Sequence, residues 1–345
     1  MNIRKSAIAL VLILIVCGGA YSGYWLYARQ VASDIIADWT EARRVEGYQI
    51  AYDPPELNGY PFLIRAVLQK PRLRRNAFEW RAEQLGIEFQ PWNFQRIRMD
   101  VEGRQWLTLS DDQRTIILNP KEAALVARFS DTGRIAKATL LLRDLEISQA
   151  ENTDLSRVAE IWLEAVAAQE PPKRHIDRNF TLSLSAAEIV LPEAANGPLG
   201  RDVSKLRADL QLNGALTDGA FEEALETWRQ SGGTLDVDWF HLAWGELDLR
   251  AKGTVALDAE ARPLGAFSTD IRGHSQALDA LVDRALLERK TATLAKVALS
   301  LLAKTPPEGG APVLTVPVTA QDGRLYAGPI KILDLAPIRF QAQRR

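Results

Sequence analysis

Three histidines, His175, His241 and His274, and one cysteine, Cys17, are the only imidazole and thiol groups in this chain of 345 residues. A protein metal site needs such groups at short, repeated spacings. No two of the histidines stand at such a spacing, and the only thiol lies near the amino terminus, far from all of them. There is no Gly-x-Ser-x-Gly elbow, no glycine loop built to cradle phosphate and no His-Glu-x-x-His helix. The acidic pairs Glu222-Glu223 and Asp111-Asp112 are consecutive, which suits a solvated helix and a turn better than an acid and base facing across a cleft. These residues predict a protein that is not an enzyme and holds no metal or cofactor.

Two other groups of residues suggest binding instead of catalysis. Arg65, Lys70, Arg72, Arg74, Arg75 and Arg81 crowd a short stretch with only Glu79 as a nearby counter-charge. Their ordinary reading is a charged strand edge that resists pairing with other chains. The sharper one is that Arg72, Arg74 and Arg75 contact lipid phosphates. Between Leu235 and Trp244, Leu235, Val237 and Trp239 are apolar on one parity and Phe240, Leu242 and Trp244 on the other. That pattern predicts either a central strand covered on both faces or, with Trp239, Phe240, Leu242 and Trp244 as its lining, an apolar groove for acyl chains.

The element that must position all of these begins the chain. Arg4 and Lys5 precede a run from Ala7 to Ala28 without a charge, and Arg29 follows it. As a helix its 22 residues span about 33 Å, enough for a hydrocarbon core of roughly 30 Å. Positive charge before the run and Asp34, Asp38 and Glu41 after it predict a cytoplasmic amino terminus and an exported body. Tyr21, Tyr24, Trp25 and Tyr27 would form an aromatic belt at the outer interface. Gly18-Gly19-Ala20 also resembles the site of a cleaved secretory signal, but the long apolar core and the belt beyond it favour a retained anchor. Cys17 also suggests a lipoprotein cysteine, but Val16 stands where that processing wants a small residue, and the plainer reading is a small apolar residue inside a membrane helix.

Beyond Arg29 the composition is that of a folded globular body, with 25% charged and 47% apolar residues over the whole chain. No disulfide is possible with one cysteine. A net charge of −2 gives no electrostatic footprint for nucleic acid.

Val31, Ile35, Trp39 and Ala42 extend the anchor as an amphipathic helix until Gly47. The period then becomes two. Tyr48, Ile50 and Tyr52 form one strand, and Phe62, Ile64, Ala66 and Leu68 another after Asn58-Gly59. Strands follow over 78–82, 85–89, 97–101, 106–109, 115–118, 124–129 and 138–147. A helix through Leu155, Val158, Trp162, Ala165 and Val166 would close the first half. Further strands are expected at 180–186, 206–212, 247–257, 267–271 and 314–318, with helices at 221–228, 278–286 and 294–302. This is an α+β chain: a transmembrane helix, then extended, curved antiparallel sheets with a few covering helices. The two successions of strands then helix suggest a duplicated unit. The domains read as 1–28 for the tip and anchor, 29–170 for a first β-rich unit and 171–345 for a second with a helical insert.

Asn58-Gly59-Tyr60-Pro61-Phe62, Trp244-Gly245-Glu246-Leu247 before Gly253-Thr254, and Asp322-Gly323-Arg324-Leu325-Tyr326-Ala327-Gly328-Pro329 occur in that order over nearly the whole chain. In this the sequence resembles the bacterial domain-of-unknown-function family 2125, with Gly59, Tyr60, Pro61, Phe62, Asp322, Gly323, Gly328 and Pro329 as its structural motifs. The resemblance implies a single-span inner-membrane protein facing the periplasm, with no catalytic residues to carry over. More distantly, the layout is similar to AsmA-like envelope proteins, which implies hydrophobic grooves and lipid handling. The expected function is therefore an anchored periplasmic protein that binds lipid in envelope maintenance, with membrane lipid as partner. The rival is a scaffold that binds another envelope protein.

Overall fold

The computed structural model describes residues 2–75, 78–109, 114–150, 152–193, 197, 199–216, 221–285, 288–304 and 312–338. Asp111-Asp112 lies outside them. Among the described residues, eighteen strands form, and every described ladder is antiparallel. The chain packs as two compact units.

The first unit holds residues 1–135 and 147–153. It begins with helix α1 (Asn2–Val45), followed by β1 (Gln49–Ala51), β2 (Glu56–Asn58), β3 (Ile64–Gln69), β4 (Arg72–Arg75), β5 (Phe78–Gln90), β6 (Asn93–Leu109), β7 (Arg114–Asn119) and β8 (Glu122–Phe129). Strands β9 (Ile135–Gln149) and β10 (Asn152–Ala167) place Ile135 and their adjoining ends in this unit.

Two pairs of short strands expected from the sequence are single long ones. Residues 78–82 and 85–89 are both β5, and 97–101 and 106–109 are both β6. The register between them slips between Ala82 and Gln84, opposite Gly103, whose φ is 77°. There Glu83 of β5 faces both Gly103 and Arg104, so the extra residue lies on β6 and the bulge turns the pair without ending either strand. Buried Ala82 and buried Phe89 can therefore belong to one strand.

The second unit holds residues 136–146 and 154–345. After β10 come β11 (Arg178–Val190), β12 (Asp202–Asn213), α2 (Phe221–Gln230), β13 (Thr234–Trp244), β14 (Leu247–Leu257), β15 (Pro263–Arg272), α3 (His274–Asp283), α4 (Arg289–Leu302), β16 (Leu314–Gln321), β17 (Arg324–Ala327) and β18 (Ile330–Asp334). Consecutive strands pair as a meander. Leu314, Val316 and Ala327 are its buried centre, packed against Ile271 of β15 and Leu299 of α4.

The helix expected behind Asp154 is not formed: those residues are strand β10. Leu155, Val158, Trp162 and Ala165 satisfy a helical period, but Leu155, Ala159, Ile161, Leu163 and Ala165 equally satisfy a period of two. The ladder to β11, with Ile161 opposite Ala186 and Leu163 opposite Leu184, decides between them. Tertiary pairing overrides local propensity here. With that helix gone, the succession of strands then helix occurs only in the second half, and the argument for duplication loses its ground.

Asp177 ties down the turn that enters β11. Its carboxylate accepts hydrogen bonds from the Arg174 guanidinium (2.7 Å) and from the backbone N–H groups of Arg174 and Lys173. These, the guanidinium first, push its pKa down to about 2. A depressed carboxylate contributes stability that is complete above its unfolded value of 3.8 and lost as pH falls through about 2. The gap in thermal midpoint between the wild type and Asp177→Asn is therefore expected to shrink from pH 4 downward and close near pH 2. A gap that stays constant over this range would show that the turn does not depend on the charge.

Candidate functional site

The first half of α1 and its second half meet different surroundings. Ile8 and every residue from Leu10 to Val16 are between 54% and 66% exposed if apolar and large. The helix is long and apolar enough to cross a membrane, with a mean hydropathy of 1.7 over its most apolar stretch. From Trp25 onward it lies on the sheet. Trp25, Ala28, Ala32, Ile36 and Thr40 recur every three or four residues and are buried.

The face they meet is made of lateral rows. Ile64 of β3 stands opposite Phe89 of β5, and Phe89 opposite Ile97 of β6; Ala66, Ile87 and Met99 make the next row, and Leu68 and Leu85 a third. Ile64, Ala66 and Leu68 are almost fully buried, as their alternation predicts. The opposite face is a charge network, in which Arg65 joins Glu88 (3.2 Å) and Glu102 (2.8 Å), and Arg98 joins Asp100 (2.8 Å).

Ala28 and Ala32 let the helix approach closely. Further along, helix and sheet part and leave an apolar cavity of about 240 Å³. Ile35, Ile36, Trp39 and Thr40 line it from the helix, and Leu68, Leu85, Ile87, Phe89, Ile97 and Met99 from the sheet. A second hollow of about 760 Å³ shares Ile35, Trp39, Phe89, Ile97 and Phe129 with it and reaches Trp92. Trp92 follows Pro91, whose carbonyl accepts a hydrogen bond from the Tyr24 hydroxyl (2.6 Å). One side of the cavity thus continues toward the exposed apolar half of α1.

On another side the cavity shares Ala51, Tyr52 and Arg72 with a hollow of about 400 Å³ that is also lined by Asp53, Lys70, Arg81 and Trp106. Arg72 and Arg81 both approach Glu79, at 3.2 and 3.3 Å. Three cations therefore surround two carboxylates. An apolar slot with a net positive mouth suits an amphipathic anion.

Of the three arginines expected to meet phosphate, only Arg72 borders this site. Arg75 is stacked 4.5 Å over the Tyr48 ring and donates to its hydroxyl, and Arg74 is exposed. The strand that carries them pairs with β1, just after the end of α1. From Tyr21 to Val45 the helix rises about 36 Å, so the cluster sits at its far end, away from the exposed apolar segment.

The four residues proposed as a groove on β13 are divided between faces. β13 is central, paired with β12 and β14. Both ladders slip around Asp238, and this bulge explains the apolar change of parity: Leu235 and Val237 continue onto the face of Phe240, Leu242 and Trp244. Trp239 falls on the other side and is 40% exposed. The Trp244 indole donates to the Gly200 carbonyl at 2.9 Å. None of the four lines the apolar cavity.

The glycine motifs are turn-makers. Gly59 has a φ of 105°, and a Cβ there would stand 2.7 Å from the Leu63 carbonyl oxygen. Asp322 and Gly323, with φ of 53° and 68°, make the hairpin between β16 and β17, and the Gly328 N–H donates to the Pro317 carbonyl. Among the described residues, no three His, Cys, Asp or Glu side chains come together to hold a metal.

The profile of a family described as "Uncharacterized protein conserved in bacteria (DUF2125)" matches residues 25–336. The chain belongs to this family. No curated protein and no solved structure matches it. The DUF2125 match begins at Trp25, the first deeply buried residue of α1, so it takes in the docked part of the helix, the apolar cavity and its cationic mouth. It also takes in all three glycine motifs. The exposed apolar segment from Ile8 to Val16 lies before it.

Proposed function

We propose that this protein is a non-enzymatic lipid binder of the bacterial envelope. In this reading α1 is a retained anchor in the inner membrane with its amino terminus in the cytoplasm, and both units lie in the periplasm. The positive residues before the apolar run support that orientation. The observation that carries the function is the cavity between α1 and the β3, β5 and β6 face, whose lining is almost wholly apolar. Its two continuations fit the two ends of a phospholipid. The hollow that reaches Trp92 leads toward the lipid-facing helix, and Lys70, Arg72 and Arg81 wait at the other end for a phosphate.

An acyl chain in the cavity would replace water against Leu85, Ile87, Met99 and Trp39, and each buried methylene contributes about 0.8 kcal/mol. No nucleotide-binding motif is present in the sequence, so any transfer would be passive or driven by another protein. Purification of the full chain in mild detergent, followed by extraction and mass spectrometry, tests the reading. Near-stoichiometric phospholipid, enriched in anionic headgroups and losing that enrichment in Arg72→Gln, is expected. A protein free of lipid that instead captures one envelope protein would replace this reading with the scaffold.

A further inference from the structure

The anchor and the body overlap along α1. Counted from Ala7, the roughly twenty residues that a hydrocarbon core requires end at Leu26. Yet the body is attached before that point. Tyr21 donates to the Pro61 carbonyl, Ser22 Oγ pairs with the Tyr60 hydroxyl at 2.8 Å, Tyr24 donates to the Pro91 carbonyl and Trp25 Nε1 to the Leu63 carbonyl at 3.1 Å. A body held wholly in water would leave only residues 7–20 for the lipid. That is about 21 Å of helix, roughly 9 Å short of the core.

The surface at that level is built to make up the difference. The segments Asn58 to Leu63 and Gln90 to Asn93 contain no charged residue. Tyr60, Phe62 and Trp92 are 55%, 73% and 58% exposed. Phe62 was expected to continue the inward alternation of Ile64, Ala66 and Leu68, but it precedes β3 and stands outside the core. On the lipid-facing helix itself, Leu26 and Tyr27 are also exposed.

Irregular backbone is normally excluded from a low-dielectric layer because its carbonyls go unsatisfied. Here the carbonyls of Pro61, Leu63 and Pro91 each accept a hydrogen bond from a Tyr or Trp of α1, and the Gly59 carbonyl accepts one from the Leu63 N–H. We infer that the Gly59–Leu63 turn and Trp92 form a rim inserted into the outer bilayer interface. Tyr60 and Trp92 sit there as amphipathic rings at the headgroup level, with Phe62 reaching into the upper acyl layer. The rim rests on α1 being the retained anchor proposed above, and it stands whether or not the cavity holds lipid.

The test uses the full chain with Cys17→Ser, in nanodiscs of phosphatidylcholine and phosphatidylglycerol. Single cysteines are placed as Phe62→Cys, Trp92→Cys and, as the control at the far end of α1, Arg74→Cys, each carrying an environment-sensitive fluorophore. Labels at 62 and 92 are expected to be quenched by nitroxide lipids and to lose accessibility to aqueous iodide, while the label at 74 behaves in the opposite way. Iodide quenching at 62 and 92 equal to that at 74, with no effect of the nitroxide, would overturn the inference. The unaltered protein gives a second measurement that no substitution can disturb. A photoactivatable phospholipid should attach to peptides containing residues 58–63 and 90–93, and attachment confined to residues before Tyr21 would refute the rim.

Discussion

Trp25→Ala is expected to destabilise the first unit by about 4 kcal/mol, the usual loss for removing a buried tryptophan. Trp25 is 6% exposed in the apolar core that joins α1 to the sheet, meets the Tyr60 ring edge-on at 5.5 Å and donates to the Leu63 carbonyl. The substitution leaves a hole at the point where helix, turn and sheet meet, together with a carbonyl that has lost its donor. Trp25→Phe separates the two effects: it keeps most of the packing and loses the hydrogen bond, so about 1 kcal/mol is expected. Urea denaturation of the full chain in mild detergent, followed by circular dichroism, measures both. An alanine variant within 1 kcal/mol of wild type would mean that the second half of α1 adds little to the unit's stability.

Leu85→Trp combined with Met99→Trp is expected to abolish most of the co-purifying lipid. Both side chains line the cavity and belong to neighbouring strands of the same face, so two indoles would occupy the space assigned to an acyl chain. Because they grow into a void, the stability change should stay below the roughly 1–3 kcal/mol typical of overpacking a filled core. Extraction and mass spectrometry read the lipid, and a thermal melt confirms the fold. Bound phospholipid at the wild-type amount in a folded variant would remove this cavity as the lipid site and leave the rim untouched.

Much of this molecule is written in local patterns. A charge-free run long enough to span a bilayer needs no tertiary information, and the same holds for strands such as 247–257, where one face is apolar and the other mostly charged or Thr. The turns at Asn58-Gly59 and Asp322-Gly323 were legible because only a few residue types accept positive φ. Where local patterns misled, the cause was a second period or a hidden register change. Residues 155–166 fit a helix and a strand equally well until β11 supplied the ladder. A bulge where β5 meets β6 read as a break between short strands, and one on β13, which moved its apolar parity, read as a two-faced strand.

The site was less legible than the fold. Arg72 borders it; Arg75 points to the opposite face of the same short strand and is stacked on Tyr48, while Arg74 shares the face of Arg72 but stands two residues farther along, beyond the hollow. The cavity joins Ile36, Leu68, Leu85 and Met99, residues with no shared sequence pattern, whose meeting is decided by which strands pair and where a helix lands on them.

The amino-acid sequence determined by itself that a helix long and apolar enough to cross a membrane begins the chain and that antiparallel strands follow, since hydropathy and alternation act over a few residues. Only the tertiary structure decided that the same helix, exposed and apolar in its first half, is in its second half one wall of the core. It also decided that Phe62 stands out beside the helix instead of pointing in. Burial is a property of the neighbours a residue acquires, and those neighbours come from parts of the chain that no local period connects.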